Sequence, residues 1–142
     1  MINRELINPQ SIVVVGGSNN VHKPGGRLVR NLLDGKYKGE LYVVNAKEDD
    51  VQGLKSYHSV HDIPETELAI ISIPGPACPE AVDVLAKQKN VKAFIVISAG
   101  FGEETHEGAI LEEQMLKSIN EAGASLIGPN CIGLMNMHYH GV

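Results

Sequence analysis

Short apolar runs rich in β-branched residues punctuate the chain at residues 11–15, 41–44, 68–73, 93–97 and 125–127. Each is nearly continuous rather than alternating, the pattern of parallel strands covered on both faces. Helical spacing fills the intervals. Leu28, Val29, Leu32 and Leu33 form one apolar stripe, and Val82, Leu85 and Ala86 form another behind Pro79, which suits the first turn of a helix. The span 103–122 is the most regular, with Leu111, Met115 and Ile119 recurring at every fourth position. Its charge order fits a helix dipole: Glu103, Glu104 and Glu107 crowd the start, Lys117 comes late, and Gly123 supplies a stop. Residues 48–67 are less periodic, and 59–63 ahead of Pro64 read as a short helix or turn. Alternating strands and helices predict an α/β fold, a Rossmann-like doubly wound domain of about five mostly parallel strands with helices on both faces. The domain is expected over residues 1–136. Residues 137–142 follow the last strand without a closing helix and are expected to begin a connection to a downstream domain.

Four of the strand ends run into glycine: Val15 into Gly16-Gly17-Ser18, Ile73 into Pro74-Gly75, Ile97 into Ser98-Ala99-Gly100, and Ile127 into Gly128-Pro129-Asn130. The opposite ends are entered through ordinary polar connections such as Lys36-Tyr37-Lys38-Gly39 and Gln88-Lys89-Asn90. In an open α/β sheet, ligands bind outside the carboxyl ends of the strands, and glycine there lets backbone amides approach a bound group. The carboxyl edge is therefore the predicted binding edge.

Composition narrows what binds. A length of 142 residues, 43% of them hydrophobic and 20% charged, suits one globular core. A net charge of −5, no Trp and only two Phe argue against a nucleic-acid surface, which needs basic patches and stacking aromatics. No stretch approaches the roughly 18 apolar residues of a membrane span, and the start Met1-Ile2-Asn3-Arg4-Glu5 lacks the apolar centre of a signal peptide. A cytoplasmic location without a membrane partner is expected. Cys78 and Cys131 are too few for a disulfide framework or a Cys-x-x-Cys metal site and are expected as reduced thiols.

The loop after the first run, Gly16 to Gly26, leads into the helix carrying Arg27 and Arg30. Its glycines and the free amides of the following helix start suit phosphate oxygens, with Lys23 and Arg27 adding charge. The spacing departs from G-x-G-x-x-G, because the second glycine pair, Gly25-Gly26, arrives after a longer insertion. NAD-binding domains usually carry an acid at the end of the second strand for the ribose 2′-hydroxyl, whereas this chain has Asn45-Ala46-Lys47. A cation there favours a nucleotide with a phosphorylated ribose, which fits coenzyme A with its 3′-phosphate and NADP with its 2′-phosphate.

From Ser11 to Asn136 the chain resembles the CoA-binding domain of the NDP-forming acyl-CoA synthetases, the superfamily of ADP-forming acetyl-CoA synthetase and the succinyl-CoA synthetase α subunit. The resemblance is carried by residues 11–18 with Pro24-Gly25-Gly26, by Tyr42-Val43-Val44-Asn45 and by Ile73-Pro74-Gly75-Pro76-Ala77. It is strongest in Ile97-Ser98-Ala99-Gly100-Phe101-Gly102-Glu103 and Leu126-Ile127-Gly128-Pro129-Asn130-Cys131-Ile132-Gly133. It implies that Gly17, Ser18, Asn19 and Gly25, with Lys23, meet the CoA phosphates, while Asn45 and Lys47 lie toward the ribose phosphate. Ile73 and Pro74 would then flank the adenine, and Ser98, Ala99 and Gly100 would lie beside the pantetheine arm, with the turn bearing Asn130 facing the acyl and phosphate chemistry. The family commonly has Pro where this chain has Ala46.

The implied reaction interconverts acyl-CoA, ADP and phosphate with acid, CoA and ATP. Its phosphohistidine lies in a downstream domain and its nucleotide in an ATP-grasp domain or subunit, so this chain supplies the CoA site without a catalytic residue. A standalone, non-catalytic CoA or nucleotide module is the alternative; such modules generally lack the Ser-Ala-Gly-Phe and Gly-Pro-Asn-Cys signatures. A catalytic Cys131 lacks a motif-placed histidine base. His58, His61, His106, His138 and His140 invite a metal reading, but even the last pair lacks the third ligand a zinc site needs. The acidic cluster around Glu107 is accounted for by the helix dipole and solvation.

Overall fold

The computed structural model describes residues 3–97 and 106–127. A single turn of helix, α1 (Arg4–Ile7), precedes the first strand, β1 (Ser11–Val15), which leads into α2 (Pro24–Asp34). Then come β2 (Glu40–Val44), a hairpin of β3 (Asp50–Val51) and β4 (Leu54–Tyr57), and a 3-10 turn at Val60–Asp62. The second half holds β5 (Leu68–Ile71), a 3-10 turn at Gly75–Ala77, α3 (Cys78–Gln88), β6 (Ala93–Val96), α4 (His106–Ala122) and β7 (Ser125–Ile127). Seven strands form one sheet in the order β3-β4-β2-β1-β5-β6-β7. Among the described residues only the β3–β4 pair is antiparallel; the other pairs run parallel, with Val13 opposite both Tyr42 and Ala69.

Alternation along the central strands splits the core into two layers, because successive side chains point to opposite faces. Ile12, Val14, Leu68, Ile70 and Ile95 pack on one face against Leu28, Val29 and Leu32 of α2 and Leu6 of α1. Val13, Val15, Ala69, Ile71, Phe94 and Val96 pack on the other against Val82, Leu85 and Ala86 of α3 and Met115 and Ile119 of α4. The continuous runs of the sequence are thus strands with both faces buried, and β5 and β6 are buried at every residue. The doubly wound fold follows.

The helical stripes lie where the spacing predicts. Pro79 sits in the first turn of α3, and α4 stops at Gly123, whose φ of 66° is the left-handed conformation of a helix C-terminus. Glu103 and Glu104 lie outside the described residues, as do Ser98, Ala99, Gly100, Asn130, Cys131, His138, His140 and the proposed boundary at residue 136.

The sheet is wider than the five-strand expectation, and the additional strands fall in the weakly periodic 48–67 segment. The reason is their position at the edge. β3 is two residues long, and β4, Leu-Lys-Ser-Tyr, buries only Ser56 fully, so neither forms an apolar run. The hairpin turns on Gln52 and Gly53, with φ of 51° and 90°, the positive values that a two-residue hairpin loop requires.

Candidate functional site

A cleft of about 470 Å³ opens at the carboxyl edge of the sheet. Its walls are the β1–α2 loop (Gly16, Gly17, Ser18, Lys23), the end of β2 (Val44 to Lys47), the segment after β4 (His58, Ser59, Val60) and the end of β5 (Ser72, Ile73, Pro74). The location follows from winding. The connection after β1 runs to α2 on one face of the sheet and the connection after β5 runs to α3 on the other, so the loops diverge and leave a crevice at the switch point.

Close backbone approach builds the first wall. Gly16 has a φ of 94°, and a Cβ there would collide with the carbonyl oxygen of Ser72, so only glycine lets β1 and β5 turn away at this point. A Cβ at Gly25 would strike the carbonyl oxygen of Gly16, which is how the start of α2 packs directly onto the loop. Pro24 occupies the first turn of α2, and Lys23 at the N-cap makes no side-chain capping bond. The positive end of α2 is therefore left available to an anion beside the cleft.

Charge on the lining points the same way. Lys23, Lys47 and His58 contribute cationic or protonatable groups from three different segments, and no carboxylate stands among the described lining residues, in a chain whose net charge is −5. Asp49 pairs with His58 from outside the lining, its Oδ1 lying 2.7 Å from Nε2. The opposite wall, Ile73 and Pro74 with Ala81 of α3, is apolar. Phosphates on one side and a flat apolar group on the other are what such a cleft accommodates.

Of the residues singled out in the sequence, the cleft brings together Gly17, Ser18, Lys23, Asn45, Lys47, Ile73 and Pro74. Asn19 and Gly25 stand behind the lining. The Asn19 side chain donates to the Asp50 carbonyl at 2.9 Å and accepts from the Gln52 amide at 2.7 Å, holding the hairpin to the loop. Asn45 is spent on architecture although it faces the cleft. Its Nδ2 donates to the Gly17 carbonyl at 2.8 Å, and its Oδ1 accepts from the amides of Lys47 and Glu48 at 2.8 and 3.0 Å. That turn fixes where Lys47 leaves the strand, a job that does not need the proline the family commonly has at position 46. The sequence marked 59–63 as a short helix or turn, which the 3-10 turn at Val60–Asp62 matches, but nothing in it placed His58, Ser59 and Val60 at a cleft, since they follow a strand without an apolar run. The dipeptide Gln52-Gly53 between Val51 and Leu54 was the available clue to the hairpin that delivers them.

Among the described residues, no helix is long and apolar enough to cross a membrane. Residues 10–137 match the family described as CoA binding domain. The α subunit of acetate–CoA ligase (ADP-forming) II from Pyrococcus furiosus is 40% identical over 135 residues, covering 94% of this chain and 29% of that subunit. Acetate–CoA ligase (ADP-forming) II of Archaeoglobus fulgidus is 39% identical over 134 residues, covering 94% of this chain and 20% of that enzyme. A solved structure of acetyl-coenzyme A synthetase 1 from Ca. Korarchaeum cryptofilum, described as dinucleotide forming and complexed with phosphate and ADP, superposes with a TM-score of 0.84. It is 36% identical and is matched over 93% of this chain and 28% of its own. This chain thus spans between a fifth and a third of the length of these relatives. With the central sheet and its glycine-lined edge inside the matched residues, the chain belongs to the CoA-binding domain family.

Proposed function

We propose that this chain is the CoA-binding domain of an NDP-forming acyl-CoA synthetase, an acid–thiol ligase that interconverts acyl-CoA, ADP and phosphate with acid, CoA and ATP. The observation that carries the reading is the cleft itself, where an uncapped helix start and the cations Lys23 and Lys47 face an apolar wall with no carboxylate among the described lining residues. In this reading Gly17, Ser18 and Lys23 take the pyrophosphate, and Lys47, aimed by the Asn45 turn, takes the ribose 3′-phosphate with His58 beside it. Ile73 and Pro74 cover the adenine.

The domain's share of the chemistry is positioning. Holding CoA by its nucleotide end presents the thiol at a fixed place, so that acyl transfer to it becomes effectively intramolecular. The phosphohistidine and ATP-grasp parts belong to the rest of the protein or to a partner subunit, and the thiol itself is the nucleophile supplied by CoA.

Calorimetric titration of the chain with CoA, dephospho-CoA, NADH and NADPH tests this reading. CoA is expected to bind best and dephospho-CoA more weakly, with neither nicotinamide nucleotide competing. Binding of NADPH without CoA overturns it.

A further inference from the structure

Gln52 breaks two local rules at once. It holds a φ of 51°, a left-handed conformation that glycine, asparagine and aspartate adopt far more readily. Its side-chain Oε1 is buried without a hydrogen-bond partner among the described residues, although buried polar atoms are normally satisfied. Both departures have one outcome: the amide nitrogen reaches across to the glycine loop. Nε2 donates to the Ser18 carbonyl at 2.8 Å and to the Gly26 carbonyl at 2.9 Å. Those two carbonyls belong to the two arms of the β1–α2 connection, one leaving the strand and one already in the helix. A single side chain therefore ties the arms together from behind the cleft.

The tie also settles which way the loop's dipoles point. The Gly26 carbonyl is already directed by α2, whereas the Ser18 carbonyl lies in the loop, and drawn to a donor outside the cleft lining it cannot turn toward the cleft, where it would repel an anion. Asn19 seats the donor by accepting from the Gln52 backbone amide and donating to Asp50, so the brace is attached to the hairpin at both ends.

We infer that Gln52 is the positioning residue of the anion-binding loop, preorganising the Gly17–Ser18 backbone for phosphate from outside the cleft. This rests on the CoA reading above and adds to it a residue that touches no ligand.

The test uses two variants of the full chain. Gln52→Met keeps the volume and removes the donor. Gln52→Asn keeps an amide and suits a left-handed φ better, yet is one methylene too short to span both carbonyls. Each is titrated with CoA, with thermal unfolding and amide hydrogen exchange at Asn20, His22 and Lys23, whose amides are bonded within the loop, followed in parallel. The expected result is CoA affinity lower by about tenfold in both, with faster exchange at Asn20, His22 and Lys23, while Gln52→Asn unfolds no earlier than wild type. A purely structural role predicts that Gln52→Asn binds CoA as well as or better than wild type, and that result overturns the brace while leaving CoA binding intact. A wild-type chain that takes up no CoA overturns the functional reading, and the brace's role in binding falls with it.

Discussion

The connections after β1 and after β5 are built to the same local plan and do different work. Each leaves a buried strand, turns through glycine and enters a helix that has proline in its first turn and no side-chain cap. After β5 the side-chain hydrogen bonds described for the turn come from its own segment. The 3-10 turn Gly75–Ala77 leads directly into α3, and the buried Cys78 thiol donates to the carbonyls of Ile73 and Pro74 from within the same segment. After β1 the loop is held from elsewhere: Asn45 from the end of β2 bonds Gly17, and Gln52 from the hairpin bonds Ser18 and Gly26. The turn after β5 presents an apolar wall, and the loop after β1, braced from β2 and the hairpin, presents glycine-rich backbone and a lysine. A loop that must keep its amides free for a ligand cannot use them to stabilise itself, so its support comes from other elements.

The largest effect expected from breaking that comparison is at Gly16. Gly16→Val forces a β-branched residue into a φ of 94° and into the Ser72 carbonyl, and should lower stability by about 3 kcal/mol or more in urea unfolding. The matched change in the other turn, the exposed Pro76→Ala, should cost less than about 1 kcal/mol.

The two walls can next be separated by ligand. Lys47→Ala should weaken CoA by about tenfold and dephospho-CoA by less than about twofold, because the partner proposed for this lysine is the 3′-phosphate. Ile73→Ala should weaken both ligands alike, by about fivefold, as removal of apolar contact does. Equal losses of both ligands in Lys47→Ala would mean that the lysine meets the pyrophosphate instead.

The smallest effect lies on the flank of α3 that packs toward α4. Hydrogen bonds from Lys87 and Ser118 hold the Asp83 carboxyl below the usual carboxylate range. Asp83 therefore stabilises the fold above the pKa it has in the unfolded chain, and that contribution fades as pH falls through the lowered native value. Asp83→Asn should flatten the acid limb of Tm against pH slightly, since the pair is well exposed and screened, and should leave CoA titration unchanged.

Much of this was legible in the residues. Strands 11–15, 41–44, 68–73, 93–97 and 125–127 are found in the sheet: the first and last with those bounds, the second starting one residue earlier at Glu40, and 68–73 and 93–97 shortened where Ser72, Ile73 and Ile97 leave the ladder. Lys23, Lys47, Ile73 and Pro74 do line one cleft. The place of His58 at the cleft and the role of Gln52 were not legible, because the hairpin that holds Gln52 and leads into His58 is an edge element whose strands bury few side chains. Asn19 and Asn45 were legible as loop residues at the carboxyl edge of the sheet, while their hydrogen-bond partners at Asp50 and Gly17 were not, since each partner sits about thirty residues away.

What the sequence determined by itself was periodicity and punctuation: which segments extend, which coil, and that glycine collects at one end of the strands. Those properties are local, written in neighbouring side chains and in backbone freedom. Only the tertiary structure decided which strand ends share a cleft and which side chains hold the glycine loop in place. Strand order brings β1 between β2 and β5 and swings the hairpin behind the loop, and contacts between segments so far apart follow from packing rather than from any local pattern.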